Sequence, residues 1–374
     1  MIAFINLRAM TMKPNVNVSP ALKQLDEALY SYVKEIDILS VIAPTNYHQQ
    51  KAAFFEQHFK INPDFHYVNT QIPLLEKKRQ LFNLPVESLK GADLQLLYSE
   101  VIQSYVDKLD QYRHIGTPQF LYDSMRYFGE PSEKDINNAA FILHLSQKTE
   151  HQENETIDAD GIIKFFENFA DANHYPYTLR IEENMVAKAL VAGDVIKINR
   201  QAMVSKTQLK ALAHHEIGVH LVTTLNARAQ PLKIMALGSP VNTTTQEGLA
   251  MLCEYLAGFM TIDRLKILAL RVMAVRSLIQ ERDFKRTFTM LLDEYGVDRE
   301  TAFAITARVY RGGGFTKDYL YLKGFRQVLK AYDENKTFKN LLCGKVSLKQ
   351  LPMITRLVNK GILIAPKHIS PAIR

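Results

Sequence analysis

From residue 20 onward, apolar side chains recur along the chain at helical spacing. Leu22, Leu25, Leu29, Tyr32, Val33 and Ile36 share one helix face, and the run ends before Pro44. Residues 46–60 repeat the pattern and close at Asn62-Pro63. Stretches 92–110 and 118–128 read as further helices, interrupted at Gly116-Thr117-Pro118 and at Gly129-Glu130-Pro131. The first dozen residues lack any such period and are expected to be loosely held. Residues 145–160 (SQKTEHQENETIDADG) are polar and charged throughout, which makes them the best linker or exposed loop.

Beyond this stretch the period changes. A helix near 160–172 is followed by three short β-rich runs, Tyr177–Ile181, Ala187–Ala192 and Val195–Asn199, separated by turn signals that include Gly193-Asp194. They predict a small antiparallel sheet. Ser205-Lys206-Thr207-Gln208 then reads as a capping box opening a strong helix, with Leu209, Leu212 and Ala213 on its apolar face. From 245 to the end the pattern is mostly helical, broken at Arg311-Gly312-Gly313-Gly314. The fold class expected is α+β, mostly helical, with the sheet preceding a zincin-like active-site helix. The division expected is an N-terminal helical region, 1–150, and a catalytic region, 151–374, packed as one unit.

The chain of 374 residues is 47% hydrophobic, enough for a sizeable core. Two well-separated cysteines, Cys253 and Cys343, exclude a disulfide scaffold or cysteine-based zinc finger and fit a reducing compartment. The opening MIAFINLRAMTMKPN has no basic start followed by an apolar run, so no signal peptide is expected. No apolar stretch reaches the roughly 18 residues of a membrane span. A cytoplasmic location without a membrane partner is expected. Charge is uneven: residues 251–374 carry 22 Lys+Arg against 11 Asp+Glu, whereas residues 1–250 carry 24 against 28. Such a basic final third attracts acidic partners or, failing that, forms a solvated face.

The helix opening at Ser205 contains His215-Glu216-Ile217-Gly218-Val219-His220. In the familiar H-E-x-x-H signature two histidines four apart share a helix face and one zinc, while the Glu activates water. Here they are five apart, which on an ideal helix leaves them about 140° out of line. A π-bulge absorbs one residue and restores their alignment, and Gly218 suits the strained position. A catalytic zinc takes three protein ligands and keeps one position open. The third candidate is Glu247, in Thr245-Gln246-Glu247-Gly248-Leu249-Ala250. Glu254, two turns further on, is the rival and is otherwise expected behind the ligands or in a structural role. His214 is expected to point off the metal face, and Cys253 to be a buried inert thiol.

These residues carry a resemblance. HEIGVH followed by TQEGLA is similar to the bacterial flavohaemoglobin expression-modulating QEGLA-motif proteins. Their eukaryotic relatives are the microtubule-associated tyrosine carboxypeptidases (MATCAP). Asn62-Pro63-Asp64-Phe65-His66-Tyr67 and the tract from Arg308 to Leu322 also resemble family segments, and the likeness covers most of 20–365. The resemblance implies an atypical zinc peptidase with one Zn²⁺ per chain. His215, His220 and Glu247 match the family's ligands, and Glu216 its general base. The eukaryotic enzymes remove a C-terminal tyrosine from tubulin; only the reaction class is expected to carry over.

For a peptidase, Glu216 takes the proton of the attacking water and passes it to the leaving amine. A second oxyanion donor is expected among Tyr310, Tyr319 and Tyr321, with Tyr321 preferred. An edge strand from 177–199 is placed to pair with an extended substrate. Arg311, beside three glycines, suits a substrate carboxylate, with Arg308 and Lys317 as further binding residues. The expected substrate is a peptide or protein C-terminus, acidic by preference. The alternative is a non-catalytic regulator with structural zinc that binds an acidic partner or nucleic acid. Three ligands plus a Glu beside the first His favour catalysis, and no helix-turn-helix or aromatic RNA-binding signature is present.

Overall fold

A computed structural model of the chain describes residues 18–69, 72–145, 156–183, 185, 187–238, 240–334 and 337–373. The first dozen residues and most of the 145–160 stretch lie outside the described residues. The protein is α+β and mostly helical. The helices expected early in the chain form as Pro20–Val33, Tyr47–Glu56, Ala92–Arg113 and Gln119–Phe128. Pro20–Val33 starts on Ser19, whose hydroxyl accepts from Leu22 N, and carries its proline in the first turn, where no amide is lost. The helices Leu74–Phe82 and Glu133–Leu143 have no counterpart in the sequence reading. Among the described residues no helix is long and apolar enough to cross a membrane.

The strands are β1 (Thr156–Ile157), β2 (Thr178–Glu182), β3 (Ala189–Ala192), β4 (Val195–Asn199) and β5 (Val204–Ser205). β1 pairs antiparallel with β5. The other three form one sheet in the order β2-β4-β3. β3 and β4 make the antiparallel hairpin signalled by Gly193-Asp194. β2 joins on the far side, parallel to β4, with Leu179 opposite Ile196 and Ile181 opposite Ile198. The hairpin sits with β4 inward, so β3 is left as an edge of this sheet. Ile196 and Ile198 are fully buried against the helices.

Among the described residues two large apolar clusters hold the fold together, with a third, small one at Met251, Leu268 and Tyr321. One runs from Leu22 to Ile373 and includes Ile217, Val219 and Leu221 of the histidine-bearing helix and Leu249, Ala250 and Leu252 of the glutamate-bearing one. The second gathers residues from Ile38 to Leu320, centred on Phe54, Phe120, Phe288, Phe303 and Phe315. Both draw on residues from either side of position 150. Burying the histidine-bearing and glutamate-bearing helices in one close-packed core limits how far each can move against the other.

Candidate metal centre

Lys206–Leu212, Ala213–Leu221 and Val222–Ala229 form one continuous helical run. Ser205 and Gln208 close the capping box at its start, with Gln208 N donating to Ser205 Oγ at 3.3 Å. The middle piece, Ala213–Leu221, is a π-helix of nine residues. This is longer than the single bulge the spacing asks for. Bonding i to i+5 makes residues five apart neighbours. The rings of His215 and His220 accordingly meet with centroids 5.0 Å apart.

Glu247 comes from the helix Pro240–Leu256. Its Oε2 lies 3.8 Å from Nε2 of His215 and 3.8 Å from Nε2 of His220. Donors about 2.0–2.1 Å from a tetrahedral zinc are spaced about 3.4 Å apart, so Glu247 Oε2 stands from each histidine nitrogen at close to the separation such an ion would impose. Ligand atoms of His215, Glu216 and His220 also lie within 4.8 Å of one another. Two carboxylates therefore compete for the third position. Glu216 Oε2 is taken by the backbone N–H of Val191 at 3.0 Å, and Glu216 Oε1 stands 4.0 Å from His215 Nε2. Glu247 Oε2 is equidistant from both histidine nitrogens, which favours it as the candidate third donor, with Glu216 beside it. Val191 belongs to β3, so the edge strand runs past the site.

Glu254, the rival ligand, is on the opposite side of His215. Its Oε1 is 2.6 Å from His215 Nδ1, and Arg264 donates to both its oxygens at 3.3 Å. A carboxylate on Nδ1 orients the ring and leaves Nε2 for a metal. Lys317 Nζ donates to Glu247 Oε1 at 2.6 Å and reaches Tyr321 OH at 3.3 Å. Arg308 bonds Asp318 through Nε and lies 3.4 Å from Tyr321 OH through a terminal nitrogen. Tyr321 is thus the tyrosine at the site. Tyr319 OH is committed to Phe128 O at 2.7 Å, and Tyr310 OH to Thr287 Oγ1 at 2.9 Å. Arg311 lies over the Phe315 ring at 4.7 Å. The three glycines after it take positive φ and lie tight against 117–121; a Cβ on Gly313 would stand 2.3 Å from Thr117 O. That run is a packed corner.

The burial is strong: His215 is 6% exposed, and Glu216 and Glu247 are each 9% exposed. Burial pushes the Glu216 carboxyl up to about 7. It pushes His220 down to about 3, leaving the ring neutral with a lone pair to give. Burial also opposes charge on Glu247, yet Lys317 and the two histidines outweigh it and hold that carboxyl below the ordinary range. Burial disfavours a charged His215 as well, but the Glu254 bond and the other carboxylates raise its pKa overall. Three carboxylates thus converge on two imidazoles, a donor set that suits a hard or borderline dication.

The glycine of the Gln246-Glu247-Gly248 run has a packing reason. A Cβ on Gly248 would lie 2.4 Å from the carbonyl carbon of Gly324, and one on Gly324 would lie 2.1 Å from Thr244 O. The helices Pro240–Leu256 and Leu320–Glu334 therefore cross backbone to backbone, which brings Lys317 and Tyr321 up to Glu247. His214 sits edge-on to Phe169 at 5.0 Å, away from the cluster. Cys253 is buried, and burial pushes its thiol up to about 12. The sequence reading missed Arg264, Asp318 and Lys345. Lys345 is close enough to interact electrostatically with Glu247 and Glu216. The tract from Arg308 to Leu322 was a signal for Asp318; none pointed to the other two.

Comparison with known proteins adds a family. The model of the family described as microtubule-associated tyrosine carboxypeptidase matches residues 52–374. No curated protein matches the chain significantly. Among solved structures, a Shewanella oneidensis protein of unknown function is similar, at 13% identity and a TM-score of 0.43, covering 92% of this chain and 80% of its own.

Proposed function

The chain belongs to the microtubule-associated tyrosine carboxypeptidase family, and from that premise we propose that it is a zinc-dependent metallopeptidase of the carboxypeptidase type. The observation that carries the reading is the placing of two imidazole nitrogens 3.8 Å from one Glu247 oxygen, with Glu216 beside them. His215, His220 and Glu247 would hold the ion. Bound there, zinc supplies Lewis acidity toward the scissile carbonyl and a water.

The remaining work falls to side chains of this chain. Glu216 accepts a proton from the attacking water and delivers it to the leaving amine. The Val191 N–H keeps its carboxylate turned into the site. β3 is the edge strand of its sheet and runs past Glu216, where an extended peptide would pair with its remaining main-chain groups. Lys317 holds the second oxygen of Glu247 and points the Tyr321 hydroxyl inward, where it donates to the developing oxyanion. Arg308, with Asp318 on its Nε and Tyr321 OH on one terminal nitrogen, turns its other terminal nitrogen to the carboxylate of the substrate's C-terminus. Arg311 adds positive charge behind it. The cationic side chains on this wall favour acidic peptides.

Incubating the zinc-loaded protein with a library of free-acid peptides and reading the products by mass spectrometry tests the reaction class. Loss of single C-terminal residues supports it. Internal fragments alone indicate an endopeptidase, and an unchanged library removes the enzyme reading.

A further inference from the structure

The segment 364–373 has no regular secondary structure, so its backbone polar groups need partners from elsewhere. Asn226 of the histidine-bearing helical run and Gln230, the residue that ends it, supply them. Asn226 Nδ2 donates to His368 O at 2.7 Å, and its Oδ1 accepts from His368 N at 2.8 Å. Gln230 Nε2 donates to Ile364 O at 2.8 Å, and its Oε1 accepts from Ile364 N at 2.9 Å. A carboxamide has a donor and an acceptor side by side and so stands in for a peptide group. Asn226 stands on the last full turn of the helix Val222–Ala229 and Gln230 is the extended residue that ends it, and both turn their amides to the segment. Together they form a two-rung ladder on which the segment runs antiparallel to the helix. Tyr175 OH adds a third tie, to Ile369 O at 2.6 Å.

Between these ties and the end of the described chain, Ser370 is fully buried. Its Oγ lies 3.3 Å from Cys253 Sγ, and a Cβ on Gly218 would stand 3.1 Å from it. Gly218 lies between His215 and His220 on one ligand-bearing helix. Cys253 lies between Glu247 and Glu254 on the other. Ser370 therefore touches both walls of the metal cluster from behind.

We propose that the segment 364–373 is a strap that sets the spacing of the two ligand-bearing helices through Asn226, Gln230 and Ser370. Strap docking and metal affinity are then coupled. The inference rests on the reading that His215, His220 and Glu247 bind zinc. Coupling of this kind is reciprocal: whatever loosens the strap weakens the ion, and the ion tightens the strap. Asn226, Gln230 and Ser370 act as positioning residues.

The test uses the full chain and three readouts other than turnover. Zinc affinity is measured by chelator competition for wild type, Asn226→Ala and Gln230→Ala. Thr287→Val, a buried hydroxyl of the other apolar cluster, is the control for general destabilisation. The cobalt-substituted proteins are compared by their visible absorption. Hydrogen exchange of the Ile364 and His368 amides is followed in wild type with and without zinc. We expect Kd for zinc to rise roughly tenfold in both amide variants, the lower end for residues supporting ligands from outside. The cobalt spectrum should change in both and stay unchanged in Thr287→Val. Zinc should slow exchange at 364 and 368. Wild-type Kd and spectrum in the amide variants overturn the coupling, as does exchange at the strap that ignores zinc; the exchange arm decides even where a variant fails to fold. Wild-type protein that takes up no zinc removes the metal site itself and this inference with it.

Discussion

His215 Nδ1 lies 2.6 Å from Glu254 Oε1, so the imidazole turns its other nitrogen toward Glu247. Glu254 bonds Nδ1 and Arg264 donates to both its oxygens, so the neutral tautomer of His215 carries its proton on Nδ1 and offers the lone pair of Nε2. Glu254→Gln keeps a hydrogen-bond acceptor but removes the charge. The zinc Kd is expected to rise about tenfold to a hundredfold, as for other carboxylates that orient a metal-binding histidine. Chelator competition reads it, and an unchanged Kd would return Glu254 to a purely structural role.

Gly248→Ala places a methyl group against the Gly324 backbone, which no side-chain rotation relieves. The crossing helices must separate, and the Lys317–Glu247 contact with them. A loss of about 1–3 kcal/mol of stability is expected from the overpacking. Denaturant unfolding measures it, and the same variant should bind zinc more weakly. Wild-type stability in Gly248→Ala would mean that the helix crossing is looser than described.

Terminal-carboxylate recognition is tested at Arg308. Arg308→Ala should lower kcat/KM on free-acid peptides by about tenfold to a hundredfold, the cost of roughly 1.5–3 kcal/mol for a charge-assisted contact. Amidated peptides should be cleaved slowly by wild type and little slower by the variant. Equal wild-type rates on both peptide forms would mean the C-terminal carboxylate is not recognised.

Lys108 gives a pH-dependent prediction away from the site. It is 9% exposed, lies 4.1 Å from the Tyr105 ring, and its nitrogen is 3.5 Å from Gly238 O. Burial pushes its pKa down to about 8 from the ordinary 10.5. The unfolded chain therefore binds more protons between these values, so stability rises with pH across that window. Below pH about 8 the buried charge costs the fold about 3 kcal/mol. Lys108→Met should be more stable than wild type at pH 7, and the difference should shrink as pH rises from about 8 to 10.5. Unfolding titrations of both proteins across this range measure it, and a constant difference would show that Lys108 does not titrate with folding.

Much of the architecture could be read before the structure. Period and caps located most helices, and Ser205 with Gln208 marked where the histidine helix begins. The five-residue spacing of His215 and His220 demanded a π-turn, because only that geometry aligns them. Its extent over nine residues was not legible, since helix propensities do not distinguish i+4 from i+5 bonding. Nor was the direction of β2, which depends on β4 lying between it and β3. The pairing of Lys317 with Glu247 spans 70 residues of sequence. It arises only because Gly248 and Gly324 let two helices touch, a tertiary fact that no local pattern encodes. The Asn226 and Gln230 ladder was hidden for the same reason: each residue taken alone is an ordinary polar position on a helix.

The most direct test of the central claim is the rate at which single residues leave a free-acid peptide, compared between wild type and Glu216→Gln at equal zinc content. Removing the proton acceptor while sparing all three proposed ligands should leave zinc binding intact and slow release by about a hundredfold to ten-thousandfold. A Glu216→Gln protein that binds zinc and releases residues at the wild-type rate would contradict the account.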